Sequence, residues 1–459
     1  MVGTRKLESL PIEGKENAAP LKAAPVATDA DTDADAGADT GAADTGAGAS
    51  TDLGVDREAY RFGKPPTGLP QFLPGPATRV EGPGDMRIET LNLARRKDRA
   101  RFIDMADLIY REDPHYIAPL RLHLMSFLNP AKNPAFENLD VHPIVAVRGG
   151  KVVARIIAHV DRAYNRYHET QAGFFGFFES VDDRAVAHAV LSEAAEWLKS
   201  QGCQEVFGPM NLTSNHQMGM IVENFDRPAF IEEPYNPSYY PPFFESFGFG
   251  KAKDLFVWWI DIAEGMETEK RRRIKRIAER IRKKENITIR QADPTRLKEE
   301  IEKLFKIYVG AWEKNWGFVP LSRREFEYLV EPMKDIMLPE MVLFVEVAGE
   351  PVGFCATLPN IHEKLPKDGR LFPFGWLKLL RGLKKTKHLR LYTLGVLPAY
   401  RKRGLESIMF SETLERGHRL GALGGEIGQT LEDNDLINRA IESMEGRLDR
   451  RYRIFGMTL

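Results

Sequence analysis

LRLYTLGVLPAYRKRGLESIMFSETLERGHRLGALGGEIGQTLE, residues Leu389–Glu432, is the stretch that decides the fold. Its opening run, Leu389–Leu397, is aliphatic and aromatic and reads as a strand. Pro398 marks a turn, and the basic loop Tyr400-Arg401-Lys402-Arg403-Gly404 follows. Leu405, Ile408 and Met409 then recur at helical spacing. Gly417, Gly421, Gly424 and Gly425 punctuate the return to a second strand ending near Leu431. A strand feeding a glycine-containing loop that starts a helix leaves unpaired backbone N–H groups at the helix start. Those groups and the helix dipole favour an anion, and the cations of the loop suit a phosphate or pyrophosphate. A solvated basic turn fits the same residues, and this stretch alone leaves both readings open.

Outward from it, the chain has 459 residues, 43% hydrophobic and 29% charged, enough for two domains of ordinary size. A formal net charge of -1 excludes a global polyelectrolyte partner, so no nucleic acid is expected without a local basic patch. Cys203 and Cys355 lie far apart and match no metal or redox spacing, which implies no metal and a reducing compartment. The start, MVGTRKLESLPIEGKENAAP, has no apolar core of a signal peptide, and no apolar run is long enough to cross a bilayer. The expectation is a soluble cytoplasmic protein, with contact at the inner face of the membrane left open.

Residues 1–79 read as a disordered, low-complexity acidic tail: Thr28–Leu53 is almost wholly Ala, Asp, Gly and Thr. A first globular segment follows over 80–264 and a basic connector helix over 265–285. A second globular segment spans 286–459. The order β-α-α-β-β-β-α-β-α-β appears in both, with hairpins VAVRGGKVVARI and VEVAGEPVGFC in corresponding places. The fold class is therefore α+β, a tandem of two similar modules.

At this point the second module resembles the acyl-CoA-binding fold of the GNAT superfamily of N-acetyltransferases, and the tandem resembles a double-GNAT protein. The carrier is Val396-Leu397-Pro398 followed by Arg401-Lys402-Arg403-Gly404-Leu405-Glu406, set in strand–loop–helix order. The resemblance implies acyl-CoA as co-substrate, held by Gly395, Val396, Leu397, Tyr400, Arg401, Lys402, Arg403, Gly404 and Leu405. Two departures stand out. Glu406 replaces the loop's final small residue, and Met444 stands where the family's usual catalytic Tyr aligns. The first module lacks such a loop, so it is expected to shape substrate rather than bind cofactor. More narrowly, GPMNLTSNHQMGMIVENFD, YNPSYY, NWGFVPL and LEDN resemble a bacterial group of double-GNAT proteins that includes ceramide synthases.

Acyl transfer to an amine needs a deprotonated nitrogen, N–H donors for the oxyanion, and a held leaving thiol. The resemblance puts the backbone of Gly395, Val396 and Leu397 at the thioester carbonyl. It puts Glu432, Asp433 and Asn434 at the acyl carbon as catalytic residues, a carboxylate accepting the ammonium proton directly or through water and Asn434 orienting the pantetheine amides. Asp433 or Asn434 also fits an ordinary helix N-cap. In the first module Asn211 and Asn215 follow a strand-end glycine, with Tyr235, Tyr239 and Tyr240 beyond, and these form the expected substrate side. His216 there is a candidate base, weighed against a structural role. The insertion Leu371–Arg390 sets Phe372, Phe374 and Trp376 among lysines and arginines, which suits a lipid–water interface with Trp376 as an expected substrate-binding residue. A loop packed over the core with an exposed basic edge fits the same residues. The leading expectation is an acyl-CoA-dependent N-acyltransferase of a long-chain, hydrophobic amine such as a sphingoid base. Two rivals fit the residues: aminoacyl transfer from tRNA, using the basic helix, and a non-catalytic lipid- or protein-binding tandem.

Overall fold

Alternation along one strand shows how the layers form. Ile144 and Ala146 bury themselves in one cluster, while Val145 and Val147 enter another on the opposite face. A strand whose two faces are both covered lies inside a sandwich of helices. The computed structural model describes residues 86–263, 268–371 and 375–459. The acidic tail expected over residues 1–79 lies outside the described residues, as do Phe372 and Phe374 of the insertion.

The strands are β1 (Arg87–Thr90), β2 (Leu139–Arg148), β3 (Lys151–Asp161), β4 (Ala172–Ser180), β5 (Glu205–Gly208), β6 (Met220–Glu223) and β7 (Gly250–Asp261). They continue as β8 (Ile287–Gln291), β9 (Val342–Val347), β10 (Glu350–Pro359), β11 (His388–Val396), β12 (Gly424–Leu431) and β13 (Arg447–Thr458). The helices begin with α1 (Arg96–Asp104), α2 (Ala106–Ile109), α3 (Arg121–Phe127), α4 (Arg162–His168), α5 (Arg184–Ser200) and α6 (Tyr240–Phe247). They end with α7 (Glu269–Lys284), α8 (Leu297–Trp312), α9 (Arg323–Val330), α10 (Gly375–Gly382), α11 (Leu405–Arg419) and α12 (Asp435–Ser443).

All the strands join one mixed sheet, β1-β2-β3-β4-β5-β13-β7-β12-β11-β10-β9-β8, with β6 pairing β13 from the side. The fold is α+β, as the sequence implies. The middle of that order is interlocked. β13, last in the chain, inserts between β5 and β7, and β7 pairs in turn with β12. Each half thus receives a strand from the other.

Helices cover both faces. Val186, Val190, Leu191, Ala194 and Leu198 of α5 fall on one helical face and pack on β2–β4. Burying each such Val or Leu side chain stabilises by about 1.5–3 kcal/mol. The Asp183 carboxylate caps α5 by accepting from Ala185 and Val186 N–H. The basic helix α7 docks by Ala278, Ile274 and Ile281, leaving Ile277 exposed. Arg271 anchors its start, donating to the Asp261 carbonyl at 2.6 Å and the Met444 carbonyl at 3.2 Å.

Each half has one parallel pair that starts together and then parts. β4 and β5 pair from Ala172–Glu205 to Phe174–Phe207, and β11 and β12 from His388–Gly424 to Leu391–Ile427. In the first half the parting strands are bridged. Met210 N–H donates to the Phe175 carbonyl at 2.7 Å, and Phe177 N–H donates to Asn211 Oδ1 at 2.8 Å. In the second half the gap remains a cleft.

Candidate active site

The cleft between β11 and β12 holds a cavity of about 210 Å³, lined by Leu391–Leu394, Ile427–Leu431, Asn434, Tyr308 and Trp312 among others. Leu397 N–H donates to the Val352 carbonyl at 2.9 Å, so it faces β10 rather than the cleft. Side-to-side alternation along the strand then turns the N–H groups of Val396 and Leu394 toward the cleft. The Val396 carbonyl accepts from Arg401 Nε at 3.2 Å. Gly395 sits beneath the indole of Trp312: a Cβ there would lie 2.3 Å from a ring carbon. Only glycine lets that indole form the floor of the cleft.

The basic loop continues from this strand. Pro398–Tyr400 form a single 3-10 turn, and Gly404 begins α11 at φ 78°, a left-handed geometry that favours glycine. Arg401 also donates to the Ala311 carbonyl, which ties it to the end of α8. Arg403 lies over the Tyr400 ring at 5.1 Å and 3.8 Å from Glu285. Lys402, at the crest, is exposed. Glu406 is buried in the first turn of α11, where its carboxyl accepts from its own N–H and feels Arg401. Burial raises this carboxyl above its usual range. The loop therefore carries an exposed cation, Lys402, at its crest and a buried carboxyl, Glu406, in the helix turn that follows.

A larger cavity, about 430 Å³, lies between the halves and adjoins the cleft. Asn215, Met218, Tyr308, Trp312, Tyr392, Thr393, Gly428 and Gln429 line both spaces. Its apolar walls come from Ile117, Leu124, Phe127, Ile231, Met333, Ile336 and Leu365. A volume of this size suits a small ligand that is largely enclosed. Tyr308 and Trp312 stack at 4.8 Å, and Tyr308 OH donates to Asn215 Oδ1 at 2.8 Å. That bond joins the halves where the two spaces adjoin.

The first-half residues singled out in the sequence converge on this cavity, with one exception. Asn211, Asn215, His216, Tyr235 and Tyr240 all line it, whereas Tyr239 does not and donates to the Ser180 carbonyl at 3.0 Å. Tyr240 OH donates to Glu179 Oε2 at 2.7 Å, where Tyr110 OH donates at the same distance. His216 Nδ1 lies 2.8 Å from Thr213 Oγ1, and its ring meets Phe127 edge-on at 4.8 Å. Desolvation, with His159 and His123 nearby, depresses its pKa to about 3, so the imidazole is neutral at physiological pH.

The second-half residues sit apart from one another. Asn434 lines the smaller cavity and caps α12, accepting from Ile437 N–H at 3.4 Å. Glu432 and Asp433 line neither space. Glu432 accepts from Lys251 at 2.6 Å and from Asp254 N–H at 3.0 Å, and Asp433 pairs with Lys253 at 2.9 Å. Met444 is buried in the core under α12. Trp376 is 48% exposed on α10, near Arg381, Lys385 and Lys387, which are also exposed.

Sequence reasoning missed a charged cluster. Arg390 on β11 and Glu233 line the central cavity, and Arg390 Nη2 lies 3.3 Å from Glu233 Oε1. Arg390 also donates to the Ile231 and Gly428 carbonyls. Glu426, its register partner on β12, is buried beside Arg227 at 3.4 Å. The available signal was Arg390 and Glu426, charges inside otherwise apolar strands, while Glu233 lies in the connection between β6 and α6. Among the described residues, no group of three or more His, Cys, Asp or Glu could hold a metal. Also among them, no helix is long and apolar enough to cross a membrane.

No protein-family model matches the chain. Protein YghO of Escherichia coli (strain K12) is 31% identical over 369 residues, which cover 78% of this chain and 93% of that protein. Bacterial ceramide synthase of Caulobacter vibrioides (strain NA1000 / CB15N) is 32% identical over 367 residues, 78% of this chain and 94% of that one. The GCN5-related glucosamine N-acetyltransferase region of a fungal multi-domain beta-N-acetylglucosaminidase superposes with a TM-score of 0.50. It is 13% identical and covers 82% of this chain and 38% of that chain, a likeness of fold. Identity of this extent, together with the parted strands of the β11–β12 cleft, makes the chain an N-acyltransferase of the GNAT-fold family to which the bacterial ceramide synthase belongs.

Proposed function

We propose that the protein transfers a fatty acyl group from acyl-CoA to the nitrogen of a long-chain, hydrophobic amine of the sphingoid type. The observation that carries this is that the two cavities adjoin, with Asn215, Met218, Tyr308, Trp312, Tyr392, Thr393, Gly428 and Gln429 lining both. The cleft beside Val396 and Leu394 suits a thioester, and the largely apolar space across Tyr308 and Trp312 suits a hydrocarbon chain. The named activity of the Caulobacter relative, a ceramide synthase, agrees in acceptor class. In this reading Leu394 and Val396 supply N–H groups to the thioester carbonyl. Gly404, Leu405 and Lys402 face the phosphates, Arg401 and Arg403 leave their present contacts to join them, and the nearby Glu406 sheds its charge when they bind.

The acceptor reaches the site from a lipid surface in this reading, through α10 and its exposed Trp376 and cations. Purified protein should sediment with anionic vesicles and less with zwitterionic ones, and added salt should release it. Equal behaviour on both vesicle types would count against that surface.

The activity itself is tested by mass spectrometry after incubation with palmitoyl-CoA and sphinganine. An amide product with release of free CoA is expected. Absence of product across acyl-chain lengths and amine acceptors would overturn the proposal.

A further inference from the structure

Glu233 and Glu426 come from different halves of the chain and meet behind one wall of the central cavity. Glu233 lines that cavity at 5% exposure, and Glu426 lies behind it at 1%. The Glu426 carboxyl is within hydrogen-bonding reach of the Glu233 carboxyl. Glu233 Oε1 and both oxygens of Glu426 accept no well-aligned hydrogen bond, although Arg390 Nη2 stands 3.3 Å from Glu233 Oε1 and Arg227 Nη2 stands 3.4 Å from Glu426 Oε1. Two ionised carboxylates in contact can only accept, so a buried pair of them is satisfied when one proton lies between them. Arg390 links the pair to the reacting zone. Its Nη2 stands 3.3 Å from Glu233 Oε1 and donates at 3.2 Å to the carbonyl of Gly428, a residue that lines both cavities.

We infer that the Glu233–Glu426 carboxyl pair is the proton relay of acyl transfer, taking a proton from the amine and giving one to the leaving sulfur. This assignment rests on the acyl-transfer reading above. The balance is complete without a further reactant. The nitrogen–carbon bond forms as the carbon–sulfur bond breaks. One proton leaves nitrogen for the pair, and the proton already on the pair goes to the thiolate. An amine arriving as ammonium releases its additional proton to solvent.

The surroundings suit a pair that holds one proton. Burial first, then the adjacent Glu233, raise the Glu426 carboxyl well above the usual range, while Arg227 and Arg390 oppose the rise. Tyr452 OH donates to Glu233 Oε2 at 3.3 Å; Arg450, Glu232 and His362 are further charged and titratable neighbours, Asp449 pairs with Arg227, and Arg390 lies over the Tyr392 ring. Glu233 is the member that touches the cavity, and Glu426 acts through it as a positioning residue.

The test uses the full chain with Glu233→Gln and Glu426→Gln, assayed with palmitoyl-CoA and sphinganine across pH. Glu233→Gln should lower kcat about 100-fold or more with KM for the thioester nearly unchanged. Glu426→Gln should fold and move the pH profile, and it carries the same readout if Glu233→Gln fails to fold. Infrared spectra at neutral pH should show a buried protonated-carboxyl band in the wild type that Glu426→Gln removes and Glu233→Gln shifts, a readout that needs no turnover. A missing band, or an amide-forming Glu233→Gln with unchanged kcat and pH profile, overturns the relay alone. A wild type that shows the band but makes no amide overturns the acyl-transfer reading and the relay with it.

Discussion

Gly395 shows how one missing side chain shapes the site. With the indole of Trp312 2.3 Å from where its Cβ would stand, Gly395→Ala must displace either the ring or β11. Overpacking of this kind costs about 1–3 kcal/mol, so a lower denaturant midpoint is expected together with weaker CoA binding by calorimetry. Two histidines make a second statement at this scale. His159 and His216 are shielded in the folded protein, and desolvation brings their pKa values down from 6.5 to about 4 and about 3. The unfolded chain therefore binds protons below pH 6.5 that the folded one refuses, and stability falls as pH drops through that window. His216→Gln should flatten this acid limb in denaturant titrations, and an unchanged slope would contradict the assignment. The residues least legible beforehand were Glu233, Arg390 and Glu426. Pattern reading treats charges in apolar runs as exceptions, and nothing local in FIEEPY, LRLYTL or GGEIG shows that they meet.

At the scale of elements, hydrophobic period and glycine punctuation were good guides. The strand Ala172–Ser180, the hairpin across Gly149–Gly150 and the helix after Gly404 appear where apolar spacing implies them. The helix α10 inside the insertion was not foreseen, because clustered aromatics and cations also suit a loop. Nor was the exchange of β7 and β13 legible. Strand pairing is set by tertiary register, and Arg447–Thr458 would pack equally well by composition within its own half. The exchange makes β13 the strand on which both halves depend. A chain ending at Gly446 loses the pairing of β5, β6 and β7 at once. It should show no cooperative unfolding by circular dichroism, whereas a native-like transition would mean that the exchange is dispensable.

The whole molecule follows from that interlock. One continuous sheet with exchanged strands should unfold in a single transition, and two resolved transitions by calorimetry would contradict it. The same interlock sets two spaces side by side, the cleft proposed above for the thioester and a largely apolar cavity built from both halves. Trp312 and Tyr308 stand where they meet. The direct test is competition between amines for amide formation with palmitoyl-CoA: sphinganine against 2-amino-1,3-propanediol, which carries a similar polar head without the chain. Ile336→Trp, which would fill part of the cavity wall, is run beside the wild type. The wild type should prefer sphinganine by about 100-fold or more, from chain burial at about 0.8 kcal/mol per methylene, and the variant should lose most of that preference. Equal use of both amines by the wild type, or no amide from either, would contradict a hydrocarbon-binding acyltransferase.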